Sequence, residues 1–253
     1  MERDDIVNVQ ESQELIDAAK NARNTFRYFW RELYWERRRI VPGLDLACVK
    51  VEFRQEDPPN APMAEFMWIS DIDFDGINVS GYLISTPSML TNIKNGDFVQ
   101  IPFDEINDWL FAISRKAYGG FTIQVMRGQM DEKDRKNHDD AWGLDFGDHN
   151  NVLVAYQQKE HPENLTEHPM CRSTDEESRK SFAEFIKQYP GEITYKDEGG
   201  YTMLHREAIA GNKLTVEILL QAGADAGAKT ADGFTAADFA KKLGWEHIVS
   251  ILA

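Results

Sequence analysis

Asp197-Glu198-Gly199-Gly200-Tyr201-Thr202-Met203-Leu204-His205 is answered by Asp232-Gly233-Phe234-Thr235-Ala236-Ala237-Asp238-Phe239-Ala240. Gly200, Thr202, Gly211, Val216 and Leu219 recur as Gly233, Thr235, Gly244, Val249 and Leu252, a period of 33 residues. A period in this range marks a stacked helical repeat. Such a unit cannot bury its apolar face alone and leans on a neighbour. The threonine caps the first helix of each unit, and Gly211 and Gly244 end it where positive φ is wanted. Nothing in the repeat is built to make or break bonds.

These positions resemble the ankyrin repeat, down to the closing turn Gln221-Ala222-Gly223-Ala224-Asp225. The resemblance implies paired antiparallel helices whose exposed turns touch a partner, and places Lys196, Tyr201, Lys229 and Phe234 on or beside those turns. Met203 stands where the family usually has proline. Glu207 occupies a small-residue position, where a buried carboxylate needs a partner. Asp238 replaces the histidine of the first copy. Two copies are fewer than a free-standing stack requires. A helix over 175–188, with Ser173 or Thr174 as N-cap, is therefore expected to serve as a degenerate first unit, with the array packed on the preceding domain. The alternative is that the two copies merely cap that domain's core.

Upstream the period changes to that of strands. Leu44 to Phe53, Glu65 to Phe74, Ile77 to Ser85 and Asp97 to Phe103 read as strands, and Glu105 to Ile113 as strand or mixed. Asp75-Gly76 predicts a tight hairpin with positive φ at both central positions. A short helix is expected over 88–93, a turn at Asn95-Gly96, and a loop over 58–62. Phe121 to Met130 fits either a strand, by alternation, or a helix. Residues 131–174 read as a polar, irregular connector with apolar islands. The middle of the chain is thus a small antiparallel sheet with one or two helices, an α+β fold.

Phe66-Met67-Trp68-Ile69, Gly81-Tyr82-Leu83-Ile84-Ser85-Thr86-Pro87, Asn95-Gly96-Asp97-Phe98-Val99, Ile106-Asn107-Asp108-Trp109 and Tyr118-Gly119-Gly120-Phe121-Thr122 together resemble the bacterial YegJ-like domain of unknown function (DUF2314-type). The likeness covers roughly 45–130 and implies no settled activity. Trp109 reads as a core residue whose N–H needs an acceptor, and Asp108 as an acceptor or cap. Asp108, Trp109 and Tyr118 are also the candidates for a pocket lining.

A helix over 9–40 precedes the sheet and is stopped by Pro42-Gly43. Its Arg27, Arg31, Arg37, Arg38 and Arg39 alternate with aromatics, which predicts aromatics inward and arginines paired to acidic neighbours. The organisation expected is a helical segment 1–43, an α+β domain 44–160, a connector 161–174 and helical repeats 175–253.

The formal net charge of −15 argues against nucleic acid and anionic membrane as partners, and suits a basic protein partner. Two cysteines, Cys48 and Cys171, are no disulfide framework, so a cytoplasmic setting is expected. The acidic and histidine-rich spots His138-Asp139-Asp140 and Asp145-Phe146-Gly147-Asp148-His149 lack metal-loop spacing and read as solvated loops. Cys171 with His168 lacks an oxyanion hole. No cofactor, metal or catalytic set is expected. The leading expectation is a non-catalytic binding protein, such as an immunity protein that occludes a basic toxin. The competing expectations are a hydrolase or transferase with its site in the YegJ-like domain, and a scaffold.

Overall fold

The computed structural model describes residues 12–56 and 63–253, so the loop expected over 58–62 lies outside the described residues. The fold is α+β: a six-stranded antiparallel sheet, a long N-terminal helix and a helical C-terminal region. Helix α1 (Gln13–Glu36) starts on Ser12, whose side chain accepts the Leu15 N–H. Strands β1 (Leu46–Gln55), β2 (Met63–Phe74), β3 (Asn78–Leu83), β4 (Phe98–Pro102), β5 (Ile106–Ile113) and β6 (Lys116–Gly119) are arranged β4-β3-β2-β1-β5-β6.

Side-chain alternation gives the sheet two unlike faces. Met67, Ile69, Ile72 and Phe74 of β2 join Phe26, Phe29 and Trp30 of α1 in the main core. The Trp109 ring lies 5.7 Å from Phe29, and its indole N–H donates to the Ala22 carbonyl at 2.8 Å. On the other face Cys48, Leu110, Ala112, Ile123, Leu144 and Phe146 form a smaller cluster at β1, β5 and β6. Toward β4 that face stays open, with Phe66, Tyr82, Ile84 and Phe98 exposed.

Helices α2 (Phe121–Gln129) and α3 (Glu132–Trp142) follow the sheet. The C-terminal region holds α4 (Glu176–Gln188), α5 (Met203–Ala210), α6 (Lys213–Gln221), α7 (Ala236–Lys242) and α8 (Glu246–Leu252). Within the pairs, α5 packs on α6 and α7 on α8; between them, α5 packs on α7 and α6 on α8. On the open side of the first pair, α1 packs on α5 and α4 on α6. The open side of the first pair is thus covered by two distant segments, α4 over α6 and the long N-terminal helix over α5. One continuous apolar core runs from the sheet through α1 into both helix pairs.

Several expectations change in the structure. Helix α1 ends at Glu36, before the Arg37-Arg38-Arg39 run. The β2–β3 hairpin forms, but only Gly76 takes positive φ; the Asp75 carboxylate accepts the Ile77 and Asn78 N–H groups, each at 2.7 Å. Residues 88–93 are not helical. Strand side chains hold that loop instead, the Glu65 carboxylate accepting the N–H groups of Ser88 and Leu90 and Gln55 those of Thr91 and Asn92. Phe121 to Met130 is mostly helix α2, because Asp108 caps it from β5. The polar connector contains α3, capped by Asp131. The N-cap of α4 is Asp175. Arg37, Arg38 and Arg39 do meet carboxylates. Arg27 and Arg31 instead donate to carbonyls, Arg27 to Leu243 and Gly244 and Arg31 to Asn164 and Leu165.

The connector is pinned to α1 through His168. Its Nε2 donates to Glu32 at 3.1 Å, its Nδ1 accepts the Met170 N–H at 3.1 Å, and its ring stacks on Trp35. Burial drives the imidazole below its ordinary 6.5, outweighing Glu32. Burial drives His205 and His247 the same way. Burial raises Glu32, but the His168 hydrogen bond and the charges of His168 and Arg39 carry it below the ordinary carboxylate value. A lowered histidine pKa gives stability that is whole above the unfolded value and is lost as pH falls through 6.5. Melting temperature is therefore expected to fall between pH 7.5 and 5.5, and His168→Gln to flatten that slope. A parallel slope in the variant would show that His168 is not its source.

Candidate functional site

The repeated turns form the best-defined outer ridge. Thr202 and Thr235 each close a capping box, with His205 and Asp238 bonding back to the threonine N–H. His205 does more than cap. Its Nε2 lies 3.1 Å from the Ala228 carbonyl and 3.2 Å from that of Phe234, so one ring ties α5 to the next turn. The Ala231 N–H donates to the Gly199 carbonyl at 2.8 Å, joining the two turns through backbone. The ridge is thus preorganised, which lowers the ordering cost of holding a partner.

Lys196 and Lys229 stand exposed on this ridge. Phe234 is half-buried, its ring 5.4 Å from Phe239. Tyr201 lies beneath the turns, stacked on Phe239 and with the Arg206 guanidinium over its ring. Burial, then the nearby charge of Asp75, pushes its phenol up to about 12. Tyr201 therefore lies as a floor beneath the ridge, and Lys196, Lys229 and the edge of Phe234 are what the ridge leaves at the surface.

Position and rigidity come from the joint with α1. Glu207 of α5 is fully buried. It accepts from Tyr34 at 2.8 Å, from Asn212 at 2.8 Å, from Thr215 at 2.6 Å and from the Arg38 guanidinium. Trp35 donates its indole N–H to Asn212 at 2.8 Å. Burial, and then the Glu207 charge, hold the Tyr34 phenol well above its ordinary value. Arg38 is held above its ordinary value despite its burial, because Glu207 and Tyr34 face it. Farther along, Arg27 caps the carbonyl end of α7, and Trp245 packs edge-on against Tyr28. The out-of-place Glu207 signalled a buried partner in the sequence; which arginine would reach it was not readable there.

A cleft of about 440 Å³ opens beside this joint, where α1, α4 and α6 fail to close on one another. Trp35, Arg38, Met170, Phe182, Phe185 and Leu214 are among its walls. A second, of about 400 Å³, runs between α1 and α2 past Asp17, Gln124 and His149. The ionisable groups on the walls are Arg38, Cys171 and Glu177 in the first cleft and Glu14, Asp17 and His149 in the second.

The remaining candidates sit apart. Asp108, Trp109 and Tyr118 are buried in the interior and line neither cleft. Asp108 accepts from the N–H groups of Trp109, Phe121 and Thr122 and from the Thr122 hydroxyl, so it caps the start of α2. Burial raises its pKa, the Thr122 bonds opposing this. Tyr118 stacks on Phe111. His138 bonds Asp139, which is itself clamped by Arg127 at 2.9 and 2.7 Å. Asp148 is exposed and caps its own turn. Cys171 is buried, its thiol pushed up to about 12 by burial and then by Glu207, while the His168 ring faces Glu32 instead. Among the described residues, no three His, Cys, Asp or Glu side chains are grouped to hold a metal ion, and no helix is long and apolar enough to cross a membrane.

Comparison with known proteins gives three matches. The profile of a family described as "Uncharacterized protein conserved in bacteria (DUF2314)" matches residues 12–146. A Neisseria meningitidis serogroup B protein named "Putative ankyrin repeat protein NMB1133/NMB1171" is 48% identical over 248 residues, 98% of this chain and 96% of that protein. The "Uncharacterized protein YegJ" of Escherichia coli K12 is 30% identical over 62 residues, 24% of this chain and 40% of that protein.

Proposed function

This chain belongs to the DUF2314 family, and we propose that it is a non-catalytic protein-binding module whose C-terminal helix pairs are ankyrin units. The observation that carries this reading is the stiff ridge of stacked turns, tied through His205 and clamped to α1 through Glu207. The name of the Neisseria relative supports the ankyrin assignment. The finer reading is an immunity protein that occludes a basic toxin or effector. A net charge of −15 steers such a partner into encounter, and a preformed ridge holds it without chemistry. On this ridge Lys196 and Lys229 recognise carboxylates of the partner, and Phe234 supplies an apolar anchor. No catalytic set is part of this reading.

The test is capture from the source organism with the full chain as bait, followed by measured binding of the captured protein. A basic protein is expected; Lys196→Glu with Lys229→Glu adds charge that favours encounter but removes the lysine contacts with the partner's carboxylates, and faster dissociation is expected to weaken binding about tenfold or more, the loss of about 1.4 kcal/mol. Co-expression with that protein is expected to restore growth. A partner whose affinity ignores both charge reversals would remove the ridge from the proposal.

A further inference from the structure

Strand β4 is the open edge of the sheet, and its outward groups can be named. Leu83 donates to the Asp97 carbonyl and Phe103 to that of Ile77, both at 2.9 Å. In an antiparallel pair, bonded and non-bonded positions alternate. The register Gly81↔Val99 and Val79↔Ile101 therefore carries the ladder to β3. At Phe98, Gln100 and Pro102 the backbone points away from β3, and among the described residues no strand lies beyond. Pro102 sits at one of these outward positions, where losing an N–H costs the ladder nothing. The N–H and C=O groups of Phe98 and Gln100 are left for a partner strand.

Short edges with a proline are often simply protected. Two observations separate this edge from that case. The side chains beside it are large and apolar: Phe98 is 58% exposed and Tyr82 47%, their rings edge-on at 5.6 Å. The edge is also polar in the sense of charge. Exposed Lys94 lies before β4, while exposed Asp104 and Glu105 follow it.

We propose that two copies of this chain pair antiparallel through β4, joining their sheets into one. Antiparallel pairing reverses one strand against the other. The Lys94 end of each copy then meets the Asp104–Glu105 end of its mate, twice over by two-fold symmetry. A two-fold axis near Val99 matches the free groups of Phe98 to those of Gln100 and sets each exposed Phe98 beside the mate's strand. The same reversal disfavours parallel addition, which would place acidic ends together.

The full-length protein is to be examined by analytical ultracentrifugation from about 1 to 100 μM in 0.15 M salt. A reversible dimer is expected, weakening in 1 M salt as the ends are screened. Gln100→Pro removes an outward donor and is expected to raise the dimer dissociation constant tenfold or more. Because that change can also disturb β4, Lys94→Glu is the second variant; it is expected to weaken the dimer, and Lys94→Glu combined with Asp104→Lys and Glu105→Lys to restore it. A monomer at 100 μM overturns the proposal. So does a dimer that responds neither to Gln100→Pro nor to the charge reversal and its rescue. None of these outcomes bears on binding by Lys196 and Lys229.

Discussion

Glu207→Ala is expected to destabilise the protein by about 3 kcal/mol and to loosen the repeats from the rest of the molecule. Removing one partner of a buried ion pair costs roughly 3–5 kcal/mol because the other charge is left uncompensated. Arg38 keeps about a third of its side chain in contact with solvent, with a relative exposure of 34%, so its share falls toward the low end. Three further donors lose their acceptor: the Tyr34 hydroxyl, the Asn212 amide and the Thr215 hydroxyl. These unmade bonds are part of the cost of breaking the buried pair and are not added to it. For a chain of this size the loss shifts the melting temperature by roughly 2–4 °C per kcal/mol.

The same cluster makes a sharper statement through its double variant. A buried ionic cluster is weak evidence for stability, since apolar replacement of both partners is often neutral. Glu207→Leu with Arg38→Met is therefore expected to recover a large part of the loss from Glu207→Ala. Urea unfolding of the two single variants and the pair measures the coupling directly. A loss below about 1 kcal/mol for Glu207→Ala would mean that the cluster does not hold the repeats.

What was legible in the sequence follows from where the determining forces lie. Thr202, Gly211 and their copies act within a few residues of themselves, so their spacing alone gave two helix pairs. The strands around Asp75-Gly76 were equally local. Helix α2 was ambiguous because its start is fixed by Asp108, thirteen residues earlier on β5. The β5–β6 turn was missed because Ser114 and Arg115 take positive φ without glycine. Loop 88–93 was misread because Glu65 and Gln55 satisfy its backbone from across the sheet. The candidate site divides the same way. Lys196 and Lys229 are exposed by repeat geometry, whereas Tyr201 is buried by Phe239 and lies near Asp75, contacts no window of sequence contains.

That last contact points to the second large effect. Gly76 is the tip of the β2–β3 hairpin, with φ of +96°. A Cβ built there would lie 2.5 Å from the Phe239 ring and 3.1 Å from Ile209. The hairpin tip is therefore seated against α5 and α7, a second joint between sheet and repeats besides Glu207. Phe239 has little room to yield, since Tyr201, His205 and Phe234 pack around it. Gly76→Val is expected to cost about 1–2 kcal/mol for a β-branched residue at positive φ and about 1–3 kcal/mol for overpacking. Gly96→Val separates the two contributions, because Gly96 has φ of +87° and nothing within 4 Å of its Cβ position. It carries the backbone strain alone. The difference between the two variants is then the value of seating the hairpin on the repeats. Amide exchange in α7 is expected to quicken in Gly76→Val and to stay unchanged in Gly96→Val. Equal losses in both variants, with α7 protected alike, would show that the hairpin tip only touches the repeats without holding them.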